Sequence, residues 1–352
     1  MKEITRVGVD LAKNVIQVHA VDAQGNVVIK RQLPRSKFKV WCLQLPPGCL
    51  VAMEACGGAH HWARSLMAAG LNVRLIAPHL VSPYRQQGKT GKNDANDAAA
   101  VCEAASRPCM HFVAIKTVEQ QGVLSVHRLR EGVKSDRQGC INRIRSILAE
   151  FGIVVPKSPE ALHAVLSDHI EDASNELPGI ARLSLSHMQE QLAEFERHIK
   201  WCDERIAAHI KCDERARQAQ QLLGVGPVGA SALIATVGDF KQFDSAAQFS
   251  AWLGLVPRQN SSGGKSKLGR ITKRGDLYLR MLLVQGAKAA VLSTWRRDSP
   301  TSQWATRLRE RSGWQVASVA LANKNARVLW AMFARGKPFD PNYVSSRPSS
   351  VV

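Results

Sequence analysis

No run of 18 apolar residues occurs in the chain, so it offers no candidate for a membrane-spanning helix. A signal peptide is also missing: Met1-Lys2-Glu3-Ile4-Thr5 passes straight into a strand pattern. No basic amphipathic terminal helix is present to lie on a lipid surface. These absences lead us to expect a cytoplasmic protein with no membrane partner. The eight cysteines contain no Cys-x-x-Cys pair, and the eleven histidines supply no zinc spacing with them. Reduced thiols, most of them packed in cores, are therefore expected. His60-His61 would point to different sides of a helix and make a poor ligand pair. Acids are the other scarcity. Only 29 Asp and Glu stand against 48 Lys and Arg, a net charge of +19, which favours a nucleic acid partner over a small acidic substrate.

What is present is otherwise ordinary for a globular protein: 45% apolar residues, 22% charged, and 352 residues, enough for two or three domains with their own cores. The basic surplus is densest between Pro257 and Arg280, where seven Lys or Arg face one acid, Asp276. The first part of that stretch, Asn260-Ser261-Ser262-Gly263-Gly264-Lys265, is too rich in Ser and Gly for a helix or strand interior. The two glycines allow a backbone to approach a bulky partner, and the cations Arg258, Lys265, Lys267, Arg270, Lys273 and Arg274 favour a polyanion. A hydroxyl at Ser261 or Ser262 in such a loop is either a phosphate-binding donor or a nucleophile. Spacing alone leaves both open.

In chain order, residues 6 to 33 read as a meander: Val7-Gly8-Val9-Asp10, an alternating run from Ile16 to Val21, a turn at 22–26, then Val27-Val28-Ile29. A helix over Lys37 to Gln44, a buried run Cys49 to Glu54, a helix over Ala59 to Ala69 and a strand Asn72 to Ile76 complete an α/β layer. Lys92-Asn93-Asp94-Ala95-Asn96-Asp97 opens an Ala-rich helix, and the spacing of three puts both carboxylates on one face. Taken singly, Asp94 could be an N-cap, Asp10 a strand-end turn former and Glu54 a solvated rim residue. Together they form a set. Four converging carboxylates repel one another unless divalent cations lie among them, and two Mg²⁺ ions about 4 Å apart would polarise a phosphodiester.

Residues 117 to 152 read as one long helix with an apolar stripe and the cations His127, Arg128, Arg130, Lys134, Arg137, Arg143 and Arg145. So few acids accompany them that a phosphate-contacting face is favoured over a merely solvated one. Gly122, Gly132 and Gly139 argue for interruptions. From Leu185 to Ile206 apolar residues recur in steps of three and four, the pattern of a coiled-coil hairpin or dimer arm, and a self-association arm is favoured over an ordinary helix packed within one domain. Leu222 to Ile234 has the form of a helix-hairpin-helix, in which Gly224 and Gly226 would open backbone N–H groups to a phosphate. Beyond Asp276 helix is expected to about Arg335, broken near Asp298 to Ser302, before a Ser- and Pro-rich tail.

Val-Gly-Val-Asp10-Leu-Ala-Lys, Met-Glu54-Ala-Cys-Gly-Gly, Gly-Lys-Asn-Asp94-Ala-Asn-Asp97-Ala and Gly-Leu-Val-Pro-Arg-Gln-Asn-Ser-Ser262-Gly-Gly-Lys together resemble the DEDD-type insertion-sequence transposases. The resemblance is to the "insertion sequence one-ten" family, close to its "one-one-one-one" subgroup and to Piv-type DNA invertases, and it covers nearly the whole chain. Ala-Cys-Gly-Gly after Glu54 departs from the commoner Ala-Thr-Gly, with the acid intact.

The resemblance implies an α/β RuvC-like RNase H domain over 1–115 and a basic-helix and coiled-coil region for dimerisation over 116–215. A mainly helical C-terminal transposase domain with a helix-hairpin-helix and the serine loop would occupy 216–340, with a flexible tail at 341–352. It implies Asp10, Glu54, Asp94 and Asp97 as ligands of Mg²⁺, with Mn²⁺ as a substitute. Ser262 would be the nucleophile that forms a covalent phosphoserine link to DNA, with Ser261 as a fallback. It further implies a noncoding guide RNA, a dimer or tetramer, and action in the bacterial cytoplasm. Two other classes compete: a RuvC-like nuclease or junction resolvase that uses water, with the serine as a phosphate contact, and a non-enzymatic architectural binder.

Overall fold

In the computed structural model, which describes residues 3–85, 93–260, 267–293 and 299–343, the Val7–Val9 alternation becomes the central strand of a six-stranded sheet. The chain divides after Val118 into two compact units. In the first, β1 (Arg6–Leu11), β2 (Val15–Val21) and β3 (Val27–Pro34) form an antiparallel meander. α1 (Arg35–Cys42) leads to β4 (Leu50–Glu54), which pairs parallel to β1. α2 (Ala59–Met67) leads to β5 (Asn72–Ile76), parallel to β4. After α3 (Pro78–Val81) and α4 (Asp94–Ala104), the short β6 (Phe112–Val113) closes the edge antiparallel to β5. The order is β3-β2-β1-β4-β5-β6, which makes β1 and β4 neighbours at the centre.

The period of two divides this sheet into two differently packed faces. Val7, Val9, Val51 and Met53 pack with Phe38, Trp62 and Leu66 of α1 and α2. The alternate residues Gly8 and Ala52 face α4, where Ala52 packs with Ala100, Val101 and Ala104. Gly8 is what lets α4 settle: a Cβ there would lie 2.2 Å from the Ala98 carbonyl oxygen and 2.4 Å from the Cys102 nitrogen. Both are backbone atoms that no rotamer change can move. Gly8→Ala is therefore expected to destabilise the protein by about 2–3 kcal/mol in urea unfolding. Gly122→Ala, whose Cβ meets nothing within 4 Å, serves as the control and should leave stability level or slightly raised.

The second unit begins with α5 (Val118–Glu150), which runs through Gly122, Gly132 and Gly139 without a break. α6 (Pro159–Glu171) and α7 (Gly179–Cys212) follow. α5 and α7 are antiparallel: Arg130 pairs with Asp203 at 2.6 Å, Arg137 with Glu196 at 3.8 Å, and the Cys140 thiol reaches the Met188 carbonyl at 3.5 Å. The apolar stripe expected to form a self-association arm lies against α5 of the same chain. Leu185 and Leu192 of the heptad stripe are fully buried with Cys140, Ile144 and Leu148 of α5, and Met188 and Phe195 pack on the same cluster. The stripe found its partner within the chain.

α8 (Glu214–Ala219), α9 (Pro227–Val237) and α10 (Ala246–Trp252) lead into the hairpin of β7 (Pro257–Gln259) and β8 (Leu268–Ile271). α11 (Leu277–Leu292), α12 (Pro300–Ser312) and α13 (Trp314–Arg335) complete the unit, with a further break at Gly313 that the sequence pattern had not indicated. Their core gathers Leu233, Phe249, Leu283, Leu321 and Leu329 around α9. Gly224, at φ +87°, abuts Gly286 of α11, where a Cβ on Gly286 would lie 2.0 Å from the Gly224 carbonyl oxygen. Among the described residues no helix is long and apolar enough to cross a membrane.

Candidate active site

Asp10 lies one residue past the Val9–Met53 pair on β1, and Glu54 ends β4 one residue past the same pair. Sheet parity puts both on the side of Gly8 and Ala52, the face that α4 covers. The Asn93 side chain caps α4 by accepting from the Asn96 backbone N–H at 2.8 Å, so Asp94 is not the cap. Asp94 and Asp97 instead occupy the first helical turn, Asp94 exposed and Asp97 buried. The other three acids bear on Asp10. Burial, then Asp94, Asp97 and Glu54, push the Asp10 carboxyl up to about 6.

Arg85, which no motif singled out, lies between two of these acids. Its Nη2 donates to Glu54 Oε2 at 2.9 Å, and its Nε lies 2.8 Å from Asp97 Oδ1, an ion pair without hydrogen-bond alignment. Gln17 stands opposite Asp10 across the β1–β2 ladder. An open groove of about 490 Å³ runs beside Asp94, lined by Gln17, Lys30, Gln32, Asn93 and Asn96. Among the described residues no three His, Cys, Asp or Glu side chains are placed to hold one ion as they stand. The donor chemistry nevertheless fits a hard divalent cation, since all four groups are carboxylates and a guanidinium already marks the point between Glu54 and Asp97 where positive charge is stabilised.

The serine loop belongs to the second unit. Ser261, Ser262 and Lys265 lie outside the described residues. On either side, Arg258, Lys267, Arg270, Lys273 and Arg274 are exposed on and after the β7–β8 hairpin. Its base is held by buried Arg280, whose Nη1 donates to the carbonyls of Leu253 (3.1 Å) and Arg274 (3.3 Å). Arg280 is thus a clamp, and the other five cations face solvent.

The long helix is less available to phosphate than its sequence implied. Arg130 is only 15% exposed and pairs with Asp203 and Glu131; Lys134 pairs with Glu131, Arg137 with Glu196, and Arg145 donates to the carbonyls of Pro156 and Lys157. Arg128 and Arg143 are the exposed cations. The acids that answer Arg130 and Arg137 come from α7, so the charge balance of α5 read alone misleads. Gly226 is the exposed N-cap of α9, whereas Gly224 is used for close packing against α11.

His127, grouped with the cations by sequence, is buried. Its Nδ1 lies 3.0 Å from the Tyr278 hydroxyl and its Nε2 2.9 Å from Ser231 Oγ, which also meets His209 Nδ1 at 3.0 Å. Ser231 is fully buried, which removes this serine-histidine pair as an attacking group. Burial pushes His127 down to about 4, so it is neutral in the folded protein at pH 7. Between about pH 6.5 and 4 the unfolded chain takes the proton that the folded chain refuses, and stability falls as pH drops through that window. We expect the stability advantage of the wild type over His127→Asn at pH 7.5 to shrink by about 2–3 kcal/mol at pH 4.5 in paired denaturant titrations.

Comparison with known proteins agrees with the order of these parts along the chain. Residues 7–153, which carry the four acids, match a DEDD-type family described as "Transposase", and residues 216–302, which carry the serine loop, match the "Transposase IS116/IS110/IS902 family". The chain is 45% identical to a probable family 20 transposase of Pseudomonas aeruginosa over 96% of its own length and 99% of the relative's. It is 39% identical to the transposase for insertion sequence element IS1111A of Coxiella burnetii, over 96% of this chain and 92% of that one. Identity to the transposase for insertion sequence element IS1328 of Yersinia enterocolitica is 36%, over 96% and 99%. Acids ordered along a sheet and helix, a basic serine loop after them, and full-length relatives at this identity leave one assignment: the chain belongs to the IS110-type insertion-sequence transposases and is a DNA transposase.

Proposed function

We propose that this transposase cuts and rejoins DNA strands through a covalent phosphoserine intermediate at Ser262, with Mg²⁺ held by Asp10, Glu54, Asp94 and Asp97 and Mn²⁺ able to replace it. The observation that supports the reading is the gathering of four acids where α4 covers the sheet: burial first, then the charges of Asp94, Asp97 and Glu54, raise the Asp10 carboxyl to about 6. Bound divalent metal would supply charge neutralisation at the scissile phosphate and at the oxygens that enter and leave it. The Ser262 hydroxyl attacks phosphorus and gives up its proton, the P–O3′ bond breaks, and the departing oxygen takes a proton to become a free 3′-hydroxyl. In rejoining, a 3′-hydroxyl of another strand attacks the phosphoserine and returns the hydroxyl to Ser262. The groove beside Asp94, with Lys30, Gln17 and Gln32, would seat the strand being cut.

In this reading the first unit is a RuvC-like RNase H domain, supported by three antiparallel strands followed by two parallel ones. The turn from α8 to α9 acts as a helix-hairpin-helix on the phosphate backbone, with Gly226 at its exposed end. Residues 116–215 serve self-association into a dimer or tetramer, for which exposed Ile180, Leu183 and Trp201 on α7 provide apolar surface. Arg128 and Arg143, with the hairpin cations, contact nucleic acid, including a noncoding guide RNA that would read the target by base pairing. DNA is the substrate and the bacterial cytoplasm the place of action.

The test is incubation with DNA carrying the ends of the element, in Mg²⁺ or in EDTA, followed by denaturing electrophoresis. DNA covalently attached to protein is expected with Mg²⁺ alone. Cutting without any adduct would replace serine chemistry by attack of water.

A further inference from the structure

The structure assigns a role to Arg85: we propose that it is the built-in counter-ion of the carboxylate site, holding Glu54 and Asp97 until a divalent cation displaces it. One guanidinium reaches two acids that come from different elements, Glu54 Oε2 at 2.9 Å on β4 and Asp97 Oδ1 at 2.8 Å on α4. It thereby ties the helix to the strand at the point where their carboxylates repel. One positive charge among four carboxylates leaves a surplus of negative charge, so Arg85 eases the repulsion without ending it. A cation of charge two on the same oxygens would ease it further and would repel the guanidinium. Arginine cannot yield by losing its proton at any ordinary pH; it has to move.

Arg85 is placed to do so. Its side chain is 36% exposed, against 17% for Glu54 and 12% for Asp97, which gives it a route to solvent that the acids lack. The segment before it is packed, with Val81 buried and Arg107 stacked 5.4 Å over the Tyr84 ring. Movement of the side chain alone would release both acids. Metal loading becomes an exchange of one cation for another, which keeps the acids assembled in the metal-free protein at the cost of weaker metal binding.

This rests on the reading that the four acids bind divalent metal, and the experiment separates the two. Mn²⁺ binding to the full-length protein is measured by electron paramagnetic resonance titration for the wild type, Arg85→Gln and Arg85→Lys, alongside thermal melting with and without Mn²⁺. Arg85→Gln is expected to bind Mn²⁺ about tenfold more tightly, the scale on which a neighbouring guanidinium moves a carboxylate's proton affinity. It should melt lower than the wild type without metal and recover more on adding it. Arg85→Lys keeps the charge but loses the two-pronged reach, and its affinity should fall between the two. It carries the test if the glutamine variant does not fold. Equal or weaker Mn²⁺ binding in the variants, with the wild type binding normally, overturns the role of Arg85. No Mn²⁺ bound by any of the three overturns the metal reading itself, and this inference with it.

Discussion

Ser262→Ala is expected to abolish the covalent protein–DNA adduct and to reduce strand transfer by at least about 10³-fold, because the substitution removes the attacking oxygen. The neighbouring hydroxyl makes this a demanding test. Ser261→Ala should leave the adduct in place, and loss of the adduct in that variant alone would reassign the nucleophile by one residue. Ser231, the other serine drawn into a histidine network, is sealed in the core between His127 and His209 and cannot take over. Binding should survive in Ser262→Ala, since the exposed cations that flank the loop are unchanged. An adduct that persists in both single variants and in the double variant would move the nucleophile away from this loop.

Asp97→Asn should cost a comparable factor, about 10³-fold in strand transfer or roughly 4 kcal/mol in the barrier, with DNA affinity retained. Asparagine keeps the size of the side chain and removes its charge, so the packing of α4 on the sheet is preserved while the buried member of the helical acid pair is neutralised. The ion pair with Arg85 is lost in the same step. Strand transfer is measured together with DNA binding in a gel-shift assay at fixed salt. Strand transfer unchanged by Asp97→Asn would end the assignment of these acids to a metal site, whereas loss of both binding and transfer would point to a folding defect.

Several of these residues were visible from sequence because the rules that place them are local. Alternation on β1 and β4 sets Asp10 and Glu54 on the same side as Gly8 and Ala52, and that follows from a period of two. A spacing of three puts Asp94 and Asp97 on one helical face, whatever the helix packs on. The strand Asn72–Ile76 and the start of the helix at Asp94 were legible for the same reason. Arg85 was not legible. An arginine in so basic a chain carries no signal, and its two partners stand 31 and 12 positions away.

The charge and apolar patterns of the helices show the limit most clearly. Seven cations on one helix with few acids read as a surface for phosphate, yet Asp203, 73 positions from Arg130, answers one of them, and Glu196 lies 3.8 Å from Arg137. The heptad stripe read as an arm for a second copy, yet α5 of the same chain covers it. His127 read as a cation and is a neutral hydrogen-bonding group in a core. By itself the sequence determined the kinds of elements, the acids and the basic serine loop, since these depend on backbone periodicity and residue chemistry within a few positions. Only the tertiary structure decided which charges are spent inside the molecule and which remain for a ligand, because partners are chosen by packing between segments far apart in the chain.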